Sequence, residues 1–468
     1  MTPQAALNQL LDACGLSAHP DVTFTGTEPA LPSPVRLATA GAAALGAVGV
    51  AADALWQLRG GGAQRIGIDM GHAACAVRSN ELLIRDGAPI ADTWRGPSGF
   101  FRCRGNRWIR FHCNFPHHEA VVRQVLSCDG DNDAIARAVE GWDAPALEDA
   151  VLDAGGCAYM VRSRDEWHAH PHAAAVAALP VIEIDKIGEA PPRPLPMAKR
   201  PLGGIRALDL TRVIAGPVIG RTLAEHGADV MRIASRKLPF IEPLLIDTGH
   251  GKLSAHLDLQ TSAGRAGLRG LLYDADIFTQ SYRPDALAAL GFGPENIARD
   301  FPGTVYVTLS AWSHNGPWAA RRGFDSLVQC ATGWAQELGG ADSPKLQPAQ
   351  AIDYVSGYLG AFGAMEALRR RATEGGTWRV RLSLAQTGHW IDGLGRNEQD
   401  NVRTLPVLDA ADVKDIMTES DTPFGHIHHM GPVLGLSETT PRWDRPAVPL
   451  GTHPPVWPAI DDIKREVT

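Results

Sequence analysis

The sequence predicts an α/β protein built on a Rossmann-like, doubly wound parallel sheet, and three observations support this prediction. Apolar strand patterns alternate with helix patterns through 205–398, which implies parallel strands joined by right-handed crossovers. A proline-rich stretch separates this region from the residues before it. A helix–turn–strand pattern in the first half recurs in the second, which indicates that part of the fold is repeated.

Within 205–398 the predicted elements follow one another in order. A strand at 205–210 leads through the turn Ala215-Gly216-Pro217 into a helix at 218–226, and Gly227 ends that helix. The same alternation then continues through strand 229–233, the helix and strand of 268–280, strand 304–311, helix 355–371 and strand 378–384.

The stretch IGEAPPRPLPMAKRPLGG (187–204) precedes this region. Proline fixes φ and removes backbone donors, so neither a helix nor a central strand is expected to run through it. We therefore place a domain boundary at this linker.

The internal repeat joins the two sides of the linker. Residues 43–69 echo residues 356–384, and both read as a small-residue helix, a glycine-containing turn and an alternating strand. Leu55 falls on Leu368 in this alignment. At the same offset an acidic residue of the second copy, Asp353, falls opposite an alanine, so the first copy lacks that acid.

The composition is that of an ordinary globular protein. The chain has 468 residues, of which 44% are apolar and 21% charged, and this is enough for two or more domains with their own cores. The net charge of −8 argues against a nucleic-acid partner, although it leaves room for a local basic pocket that holds an anionic ligand.

Compartment and membrane association are predicted from local composition. Seven cysteines lack CxxC pairs and the spacing of Cys/His metal ligands, so we expect reduced thiols in a cytoplasmic protein. No secretory signal is predicted at the N-terminus. The run from Ala38 to Leu55 is long enough to cross a bilayer but is built from Ala and Gly, so we expect a buried helix and no membrane partner.

Five segments of the second half fall in a fixed order and spacing. They are LDLTRVIAGPVIGRTLAEHGADVMRI (208–233), HLDLQTSAG (256–264), SYRPDALAALGFG (281–293), SAWSHNGPWAARRGFD (310–325) and AIDYVSGYLGAFGAMEAL (351–368), the last followed by RVRLSL (379–384). Together they resemble the family III CoA-transferases, the group that also holds carnitine and formyl-CoA transferases and the α-methylacyl-CoA racemases. The resemblance implies a CoA-transferase that uses CoA and acyl-CoA as substrates and keeps no permanently bound cofactor.

The resemblance implies Asp353 as the catalytic residue. A CoA-transferase must hold CoA after it leaves one acyl group and before it joins the next, and a carboxylate can do so through a mixed anhydride and then an enzyme-bound thioester. Asp353 matches the family's Asp at the entrance of a small-residue helix, where backbone N–H groups are expected to stabilise an oxyanion. The structural alternative is that Asp353 only caps this helix.

The resemblance also implies a set of CoA-binding positions. CoA carries a diphosphate and a ribose phosphate, which need backbone donors and cationic side chains. The matching positions are Val213, Ala215, Gly216, Pro217, Arg236, Leu257, Ser281, Tyr282, Arg283 and Arg322. Each basic residue taken singly is more typical of a solvated surface, and only their joint placement at strand ends favours a binding site.

Segments outside 205–398 also resemble parts of the family, but they occur in a different order along the chain. Residues 99–126 and 155–184 resemble the family's smaller α+β domain, which here precedes the sheet region, and 429–455 resembles its C-terminal tail. We therefore expect halves that are permuted or duplicated. The predicted divisions are a helical extension (1–30), a degenerate CoA-transferase-like half with the small domain (31–186), the linker (187–204), the CoA-binding catalytic domain (205–398) and a tail that packs back on it (399–468). The alternative is a decayed copy that only packs against the active half.

Departures from the family pattern bear on the acyl site. Ser281 stands where Asn is common, and Ala234 replaces an acid expected after the strand 229–233. Ala311 and Trp312 add bulk where the family often reads SGFG, so we expect a changed acyl pocket or a weaker site.

Two other functions remain open. The racemases use a histidine in a Gly-His-Asp turn, whereas this chain reads Gly323-Phe324-Asp325, and phenylalanine carries no proton. His314 lies nearby, but a polar loop histidine is its more ordinary interpretation. A non-catalytic CoA or acyl-CoA binding protein would suit the departures, although such a protein has no use for the acid at Asp353.

Histidines cluster in three places, at His117-His118, His168-His170-His172 and His426-His428-His429. They lack helical i, i+4 spacing and acidic partners, so no metal site is predicted. The expected partners are an acyl-CoA, a carboxylic acid and a second copy of the chain, because the family forms homodimers.

Overall fold

The computed structural model describes residues 1–19, 21–90, 94–283, 285–398, 402 and 405–459. The helices are α1 Pro3–Ala13, α2 Leu37–Leu58, α3 Met70–Ala76, α4 Pro116–Leu126, α5 Asn132–Glu140, α6 Ala144–Asp153, α7 Arg164–His168, α8 Pro171–Ala177, α9 Ala215–Glu225, α10 Glu242–Asp247, α11 Ser262–Leu272, α12 Pro294–Asp300, α13 Asp325–Ala331, α14 Trp334–Gly339, α15 Ala351–Glu374 and α16 Leu384–Gly393. Short 3-10 turns lie at Ser79–Leu82, Arg104–Asn106, Ala288–Leu290 and Lys414–Ile416.

The strands are β1 Val22–Thr25, β2 Ile66–Asp69, β3 Ile84–Arg85, β4 Ala88–Pro89, β5 Gly99–Cys103, β6 Arg107–Phe111, β7 Ala158–Met160, β8 Glu183–Gly188, β9 Arg206–Leu210, β10 Asp229–Ala234, β11 Lys252–His256, β12 Ile277–Gln280, β13 Val305–Ser310, β14 Thr377–Ser383, β15 Met417–Thr422, β16 Gly425–Met430 and β17 Leu434–Leu436.

The largest sheet has seven strands in the order β11-β10-β9-β12-β13-β14-β8. Strands β9 to β14 run parallel, and β8 pairs antiparallel with β14 at one edge. Counted from β9, the parallel strands lie in the order 3-2-1-4-5-6, which is the order of a doubly wound sheet. The predicted α/β class is therefore confirmed, and the strand order reverses between β9 and β12.

Side chains of the parallel strands alternate between two cores. Ala207 and Val230 join the core that holds α9 and α15, whereas Leu208 and Met231 face the core that holds α11. Both faces of these strands are covered, which explains why they read as nearly continuous apolar runs.

Two helices begin earlier than the sequence predicts. The helix predicted from 218 begins at Ala215, so the turn Ala215-Gly216-Pro217 is its first turn. The helix predicted from 355 begins at Ala351 and places Asp353 inside its first turn. Proline is favoured at the start of a helix because its missing N–H has no helical partner there.

The predicted repeat is present in the fold and extends beyond the matched segments. In the first half β1 and β2 pair in parallel with α2 between them, as β13 and β14 pair in parallel with α15 before β14. A short helix follows each second strand, α3 after β2 and α16 after β14. The repeat also includes an antiparallel edge strand, β17 beside β2 and β8 beside β14.

These edge strands are exchanged between the halves. Strand β8 comes from the residues before the linker and completes the sheet of the second half, while β17 comes from the C-terminal tail and completes the sheet of the first. The helices α2 and α15 lie against each other between the two sheets. The halves are therefore bound by main-chain pairing as well as by packing.

Helix α2 is the small-residue run predicted as a buried helix. Within the described residues it is the one helix with the length and apolarity to cross a membrane, and 94% of its apolar window is buried inside the protein. Arg59, which follows α2, donates hydrogen bonds to the carbonyl oxygens of Pro201 and Gly203, at 2.9 Å each. The end of α2 is thereby fixed to the linker.

The smaller domain consists of the sheet β5-β6-β7 and the helices α4, α5 and α6 around their own core. The linker contains neither helix nor strand between Glu189 and Ile205, although β8 extends two residues into the predicted range. The tail first pairs with the first half through β16 and β17, and only later reaches the large sheet, where Arg445 O accepts from Gly251 N–H at 2.8 Å.

Candidate active site

Asp353 lies at the meeting point of two cavities. Asp353 is the third residue of α15 and is only 6% exposed. It lines both cavities. The N-cap of α15 is Gln350, and this residue makes no side-chain capping bond. The alternative that Asp353 merely caps its helix is therefore wrong.

The capping role is taken by Asp325, the first residue of α13. Its Oδ2 accepts a hydrogen bond from the backbone N–H of Asp353 at 3.1 Å, and its Oδ1 accepts from Gln329 Nε2 at 2.5 Å. The N–H of Asp353 is thus already occupied. This particular N–H group is therefore not available to an oxyanion, and the expectation that N–H groups at the helix entrance stabilise one stays a prediction.

Burial raises the pKa of both acids of this pair. Burial raises the pKa of Asp325 from 3.8 to about 7, although the N–H of Asp353 and the Gln329 amide oppose this shift. Burial raises the pKa of Asp353 well above its ordinary value, and the neighbouring Asp325 raises it further. In the described part of the chain no donor is hydrogen-bonded to the carboxyl oxygens of Asp353, which leaves them open to the cavities.

The larger of the two cavities, called here the groove, follows the carboxyl ends of the sheet strands. It lies where the loops after β9 and β12 diverge, at the point where ligands bind in doubly wound sheets. It is lined by Phe115, His117, His118, Arg212, Val213, Ile214, Ala215, Gly216, Leu238, Ser281, Tyr282, Arg283, Ala286, Leu309, Ser310, Ala311, Ala319, Arg321, Arg322, Gly323, Phe324, Asp353 and Leu384.

The turn after β9 brings backbone close to the groove. Val213 adopts a left-handed φ of 71°, which is rare for a β-branched residue and is typical of strain held at a functional site. A Cβ on Gly216 would lie 2.4 Å from the Cβ of Thr211, so only glycine fits there. Helix α9 starts at Ala215 without a side-chain cap, which leaves its positive end facing the groove.

The groove is cationic. Among the described residues, Arg283 and Arg322 make no ion pair, whereas Arg321 is paired with Asp149 at 2.8 Å. Arg212 lies over the ring of Phe115 at 5.0 Å, and burial lowers its pKa. Cationic side chains and a free helix start are the donors that phosphate groups require.

Most of the sequence-predicted CoA positions come together here. The groove lining includes Val213, Ala215, Gly216, Ser281, Tyr282, Arg283 and Arg322. Pro217 lines an adjoining cavity that shares Arg212, Val213 and Tyr282 with the groove. The structure does not bring Arg236 or Leu257 into either lining. Arg236 is exposed beyond the end of β10, and Leu257 packs against the α11 core.

The second cavity, called here the inner cavity, is built by both halves of the chain. Its lining consists of Asn80, Trp94, His112, Asn114, Val213, Ile214, Ile241, Leu244, Phe324, Asp325, Ser326, Gln329, Leu346, Gln347, Ala349, Gln350 and Asp353. The first four of these residues precede the linker. Sequence reasoning missed them because they belong to the half that lacks the catalytic motifs, and the only signal was the resemblance of 99–126 to a small domain.

His112 occupies the space beside Phe324. The two rings stack at 3.7 Å between centroids and 6° between planes, and His112 Nδ1 lies 3.4 Å from Ser326 Oγ. Burial, with Arg110 nearby, lowers the pKa of His112 well below its usual range, so the ring is neutral. Its Nε2 is buried and has no partner in the described residues. His112 therefore lies beside Phe324, which stands where the racemases have a histidine.

A buried polar network supports Asp353 from behind. The hydroxyl of Tyr354 lies 2.8 Å from Asn80 Oδ1 and 2.9 Å from Asp247 Oδ2. Asp247 is also paired with Arg221 at 2.9 Å and accepts from Ser79 Oγ at 2.7 Å. This network joins α15 to α9, α10 and the first half.

The expectation for Trp312 needs correction, whereas His314 agrees with its more ordinary interpretation. Trp312 does not line the groove or the inner cavity. It is buried against Tyr159 and Trp318 and donates to Arg322 O at 3.0 Å, so its bulk joins the domains instead of reshaping an acyl pocket. His314 lines neither cavity and lies 3.4 Å from Glu183.

The histidine clusters have separate surroundings. His117 and His118 line the groove, and His172 Nε2 lies 2.7 Å from Trp312 O. The expectation that the clusters lack acidic partners is wrong for two of them. Asp392 lies 3.8 Å from His168, and Glu419 lies 3.4 Å from both His426 and His428. Glu419, His426 and His428 form a group on the β15–β16 hairpin, with ligand-type atoms within 4.8 Å of one another.

Known proteins similar to this chain include CoA transferases. Residues 202–394 match the model of the family described as CoA-transferase family III. The acetyl-coenzyme A transferase nodX of Hypoxylon pulicicidum is 35% identical over 50% of this chain, and an acyl-CoA transferase of Gibberella moniliformis is 27% identical over 92% of it. The chain spans 39% of the former protein and 90% of the latter.

Among solved structures, the hypothetical protein Rv3272 of Mycobacterium tuberculosis is 28% identical and covers 42% of this chain and 58% of its own, with a TM-score of 0.38. The Gibberella relative shows that the first half, too, has a counterpart in another protein. Through residues 202–394, this chain is similar to CoA-transferase family III.

Proposed function

We propose that this protein transfers CoA from an acyl-CoA donor to a free carboxylic acid, and that Asp353 carries CoA between them as an aspartyl thioester. The observation that carries the proposal is the carboxyl of Asp353, buried, without a hydrogen-bond donor in the described residues, and placed where the groove and the inner cavity meet. Relatives with 35% and 27% identity are named as CoA transferases.

The proposed reaction begins with attack of the Asp353 carboxylate on the thioester carbonyl. The C–S bond breaks, CoA leaves as thiolate, and a mixed anhydride joins Asp353 to the acyl group. The thiolate then attacks the Asp353 carbonyl of this anhydride, which releases the first acid as a carboxylate and leaves CoA on Asp353.

The second half of the cycle reverses these steps with another acid. The acceptor carboxylate attacks the aspartyl thioester, CoA again leaves as thiolate, and a second mixed anhydride forms. The thiolate attacks the acyl carbonyl, which produces the new acyl-CoA and restores the Asp353 carboxylate. No proton is gained or lost over the cycle, so the reaction needs an ionised Asp353 and no external base.

The groove offers positive charge and backbone donors to the phosphates of CoA. Arg283 and Arg322 are free of ion pairs among the described residues, and the uncapped start of α9 adds a positive end. Because both halves of one chain line the space around Asp353, we further propose that one chain holds a complete site. The homodimer implied by the resemblance would then pair two such sites.

The test is intact-protein mass after incubation with a panel of acyl-CoAs, followed by hydroxylamine or borohydride trapping. The wild-type protein should gain a CoA-sized adduct that maps to Asp353, and Asp353→Asn should gain none. CoA binding by calorimetry without any adduct would instead support a non-catalytic CoA-binding protein.

A second candidate, exchange of the α-proton of an acyl-CoA, is supported by His112. Its neutral ring and unpaired Nε2 line the same cavity as Asp353, so two groups that can accept a proton border one space. Deuterium incorporation at the α-carbon in heavy water, without a CoA adduct on Asp353, would favour this function over transfer.

A further inference from the structure

We propose that the inner cavity receives the acyl group, and that it selects monocarboxylic acyl groups with an uncharged hydrogen-bonding substituent, such as a hydroxyl, over dicarboxylic ones. The proposal rests on the function proposed above. It assigns to the first half of the chain the choice of acyl substrate.

Charge distinguishes the two cavities that meet at Asp353. The groove contains four arginines, among them Arg283 and Arg322, whereas the described residues that line the inner cavity include no lysine or arginine. We therefore expect the phosphates of CoA to bind in the groove, beside these arginines. The acyl group, on the far side of the thioester carbon from CoA, then extends into the inner cavity.

The inner cavity offers neutral polar groups between apolar walls. Ile214, Ile241, Leu244 and Leu346 supply apolar surface, and five carboxamide side chains add polar atoms. The space not filled by atoms is about 510 Å³ including the open mouth.

Two polar atoms of this lining lack partners in the described residues. They are Nε2 of His112 and Oε1 of Gln350. The other amides are engaged: Asn114 Oδ1 accepts from Ser98 Oγ at 2.9 Å, and Gln329 Oε1 accepts from Gln347 N–H at 2.8 Å. A buried polar atom without a partner costs free energy, so a substituent that bonds to either atom is favoured over a hydrogen.

A second carboxylate would find no counter-ion among the described residues that line this cavity. The ionisable side chains of its lining are Asp325, Asp353 and the neutral His112, and none of them offers a positive charge to an anion. Burial of an unpaired charge is strongly unfavourable. Arg110 lies outside the lining, behind Trp94, with its guanidinium 4.6 Å from the Trp94 ring and 4.8 Å from the Phe100 ring.

The test compares four-carbon thioesters of matched size: butyryl-CoA, 3-hydroxybutyryl-CoA and succinyl-CoA. The measured quantity is the single-turnover rate at which each loads CoA onto Asp353, followed by intact mass. We expect the hydroxybutyryl ester to load about tenfold faster than the butyryl ester, and the succinyl ester to be slower than butyryl by about tenfold or more.

Gln350→Leu and His112→Phe test the source of the preference. Either variant should reduce the ratio of hydroxybutyryl to butyryl loading toward one, because it removes an unpaired polar atom while keeping similar volume. Gln124→Leu, on the exposed side of α4, is the matched control and should leave that ratio unchanged.

The outcomes separate the two proposals. Succinyl loading as fast as butyryl loading would overturn the proposed selectivity, and its loss in Arg110→Met would then identify Arg110 as an anion partner. Equal loading of all three esters would also overturn it. No adduct from any ester would overturn the proposed function itself, and the acyl assignment with it.

Discussion

The backbone N–H of Asp353 donates a hydrogen bond to the carboxyl Oδ2 of Asp325 at 3.1 Å. The start of α15 is therefore stabilised by a side chain from α13, and the side chain of Asp353 is released from any capping role. The same arrangement places the two carboxyls in one buried site. Burial raises both pKa values, and Asp325 raises that of Asp353 further.

Asp353→Asn should abolish CoA transfer while CoA binding is retained. The amide fills the same space but is a poor nucleophile, and loss of a catalytic nucleophile costs about 10⁴-fold or more in turnover. Transfer can be measured by chromatography of acyl-CoA products, and binding by calorimetry. Transfer by the variant within about tenfold of wild type would remove Asp353 from the mechanism.

The rate of CoA loading should fall as the pH is lowered through a pKa well above that of an ordinary aspartate. Only the ionised Asp353 attacks the thioester, and burial together with Asp325 raises the pKa that governs ionisation. Asp325→Asn removes the like charge and should shift the acidic limb of the profile to lower pH. Single-turnover rates from about pH 5 to about pH 9 would reveal the limb. An unshifted limb in the variant would contradict the coupling.

The raised pKa of Asp325 also predicts that the stability of the protein depends on pH. Asp325 has a folded-state pKa of about 7 against 3.8 ordinarily, so the folded protein holds a proton that the unfolded chain releases. Its contribution to stability is fully present below 3.8 and is lost as the pH rises to about 7. The difference in free energy of unfolding between Asp325→Asn and wild type should therefore shift in favour of the variant as the pH is raised from acidic to alkaline. Melting temperatures of both proteins at the two pH extremes would measure this shift.

Arg322→Ala should weaken CoA binding by about tenfold, since a cation that contacts phosphate in a partly enclosed groove contributes on the order of 1–2 kcal/mol. The effect should appear in KM for the acyl-CoA more than in kcat, because the phosphates are remote from the reacting carbonyl. Arg137→Ala, an exposed arginine on α5, removes the same charge elsewhere and should change neither constant. Equal effects of the two variants would point to net charge instead of a local contact.

The sequence was sufficient to predict features encoded by local pattern. The strands β9, β10, β13 and β14 follow from short apolar runs. The assignment of Ser281, Tyr282 and Arg283 to CoA binding came from the family resemblance, and the structure places these residues in the groove. The early start of α15 was not predictable, because its cap, Asp325, lies 28 positions earlier in the chain. Only the folded structure brings these two residues together.

The inner cavity was missed for a similar physical reason. His112 reaches the space beside Asp353 because the sheet β5-β6-β7 packs against α13, and no local pattern in the first half encodes that contact. The bulk of Trp312 was correctly noted but wrongly assigned, since an apolar ring can pack against a neighbouring domain as readily as against a ligand. Local composition identifies a large side chain, and the tertiary fold decides what it touches.

The close packing of α15 against α9 predicts a stability difference between two glycines. A Cβ on Gly357 would lie 2.5 Å from the Cβ of Val218 and 2.8 Å from the carbonyl oxygen of Ala215, so backbone must move to admit it. Gly357→Ala should therefore destabilise the protein by about 1–3 kcal/mol, and should also reduce transfer because Ala215 lines the groove.

Gly270→Ala is the matched control for this effect. Gly270 lies inside α11, and a Cβ there would meet nothing within 4 Å. The substitution should stabilise the protein by about 0.5–1 kcal/mol, because alanine has the higher helix propensity. Denaturant midpoints of the two variants should thus move in opposite directions. Stabilisation by both would mean that α9 can recede from α15, and that the turn at Ala215 is less rigidly held than its contacts indicate.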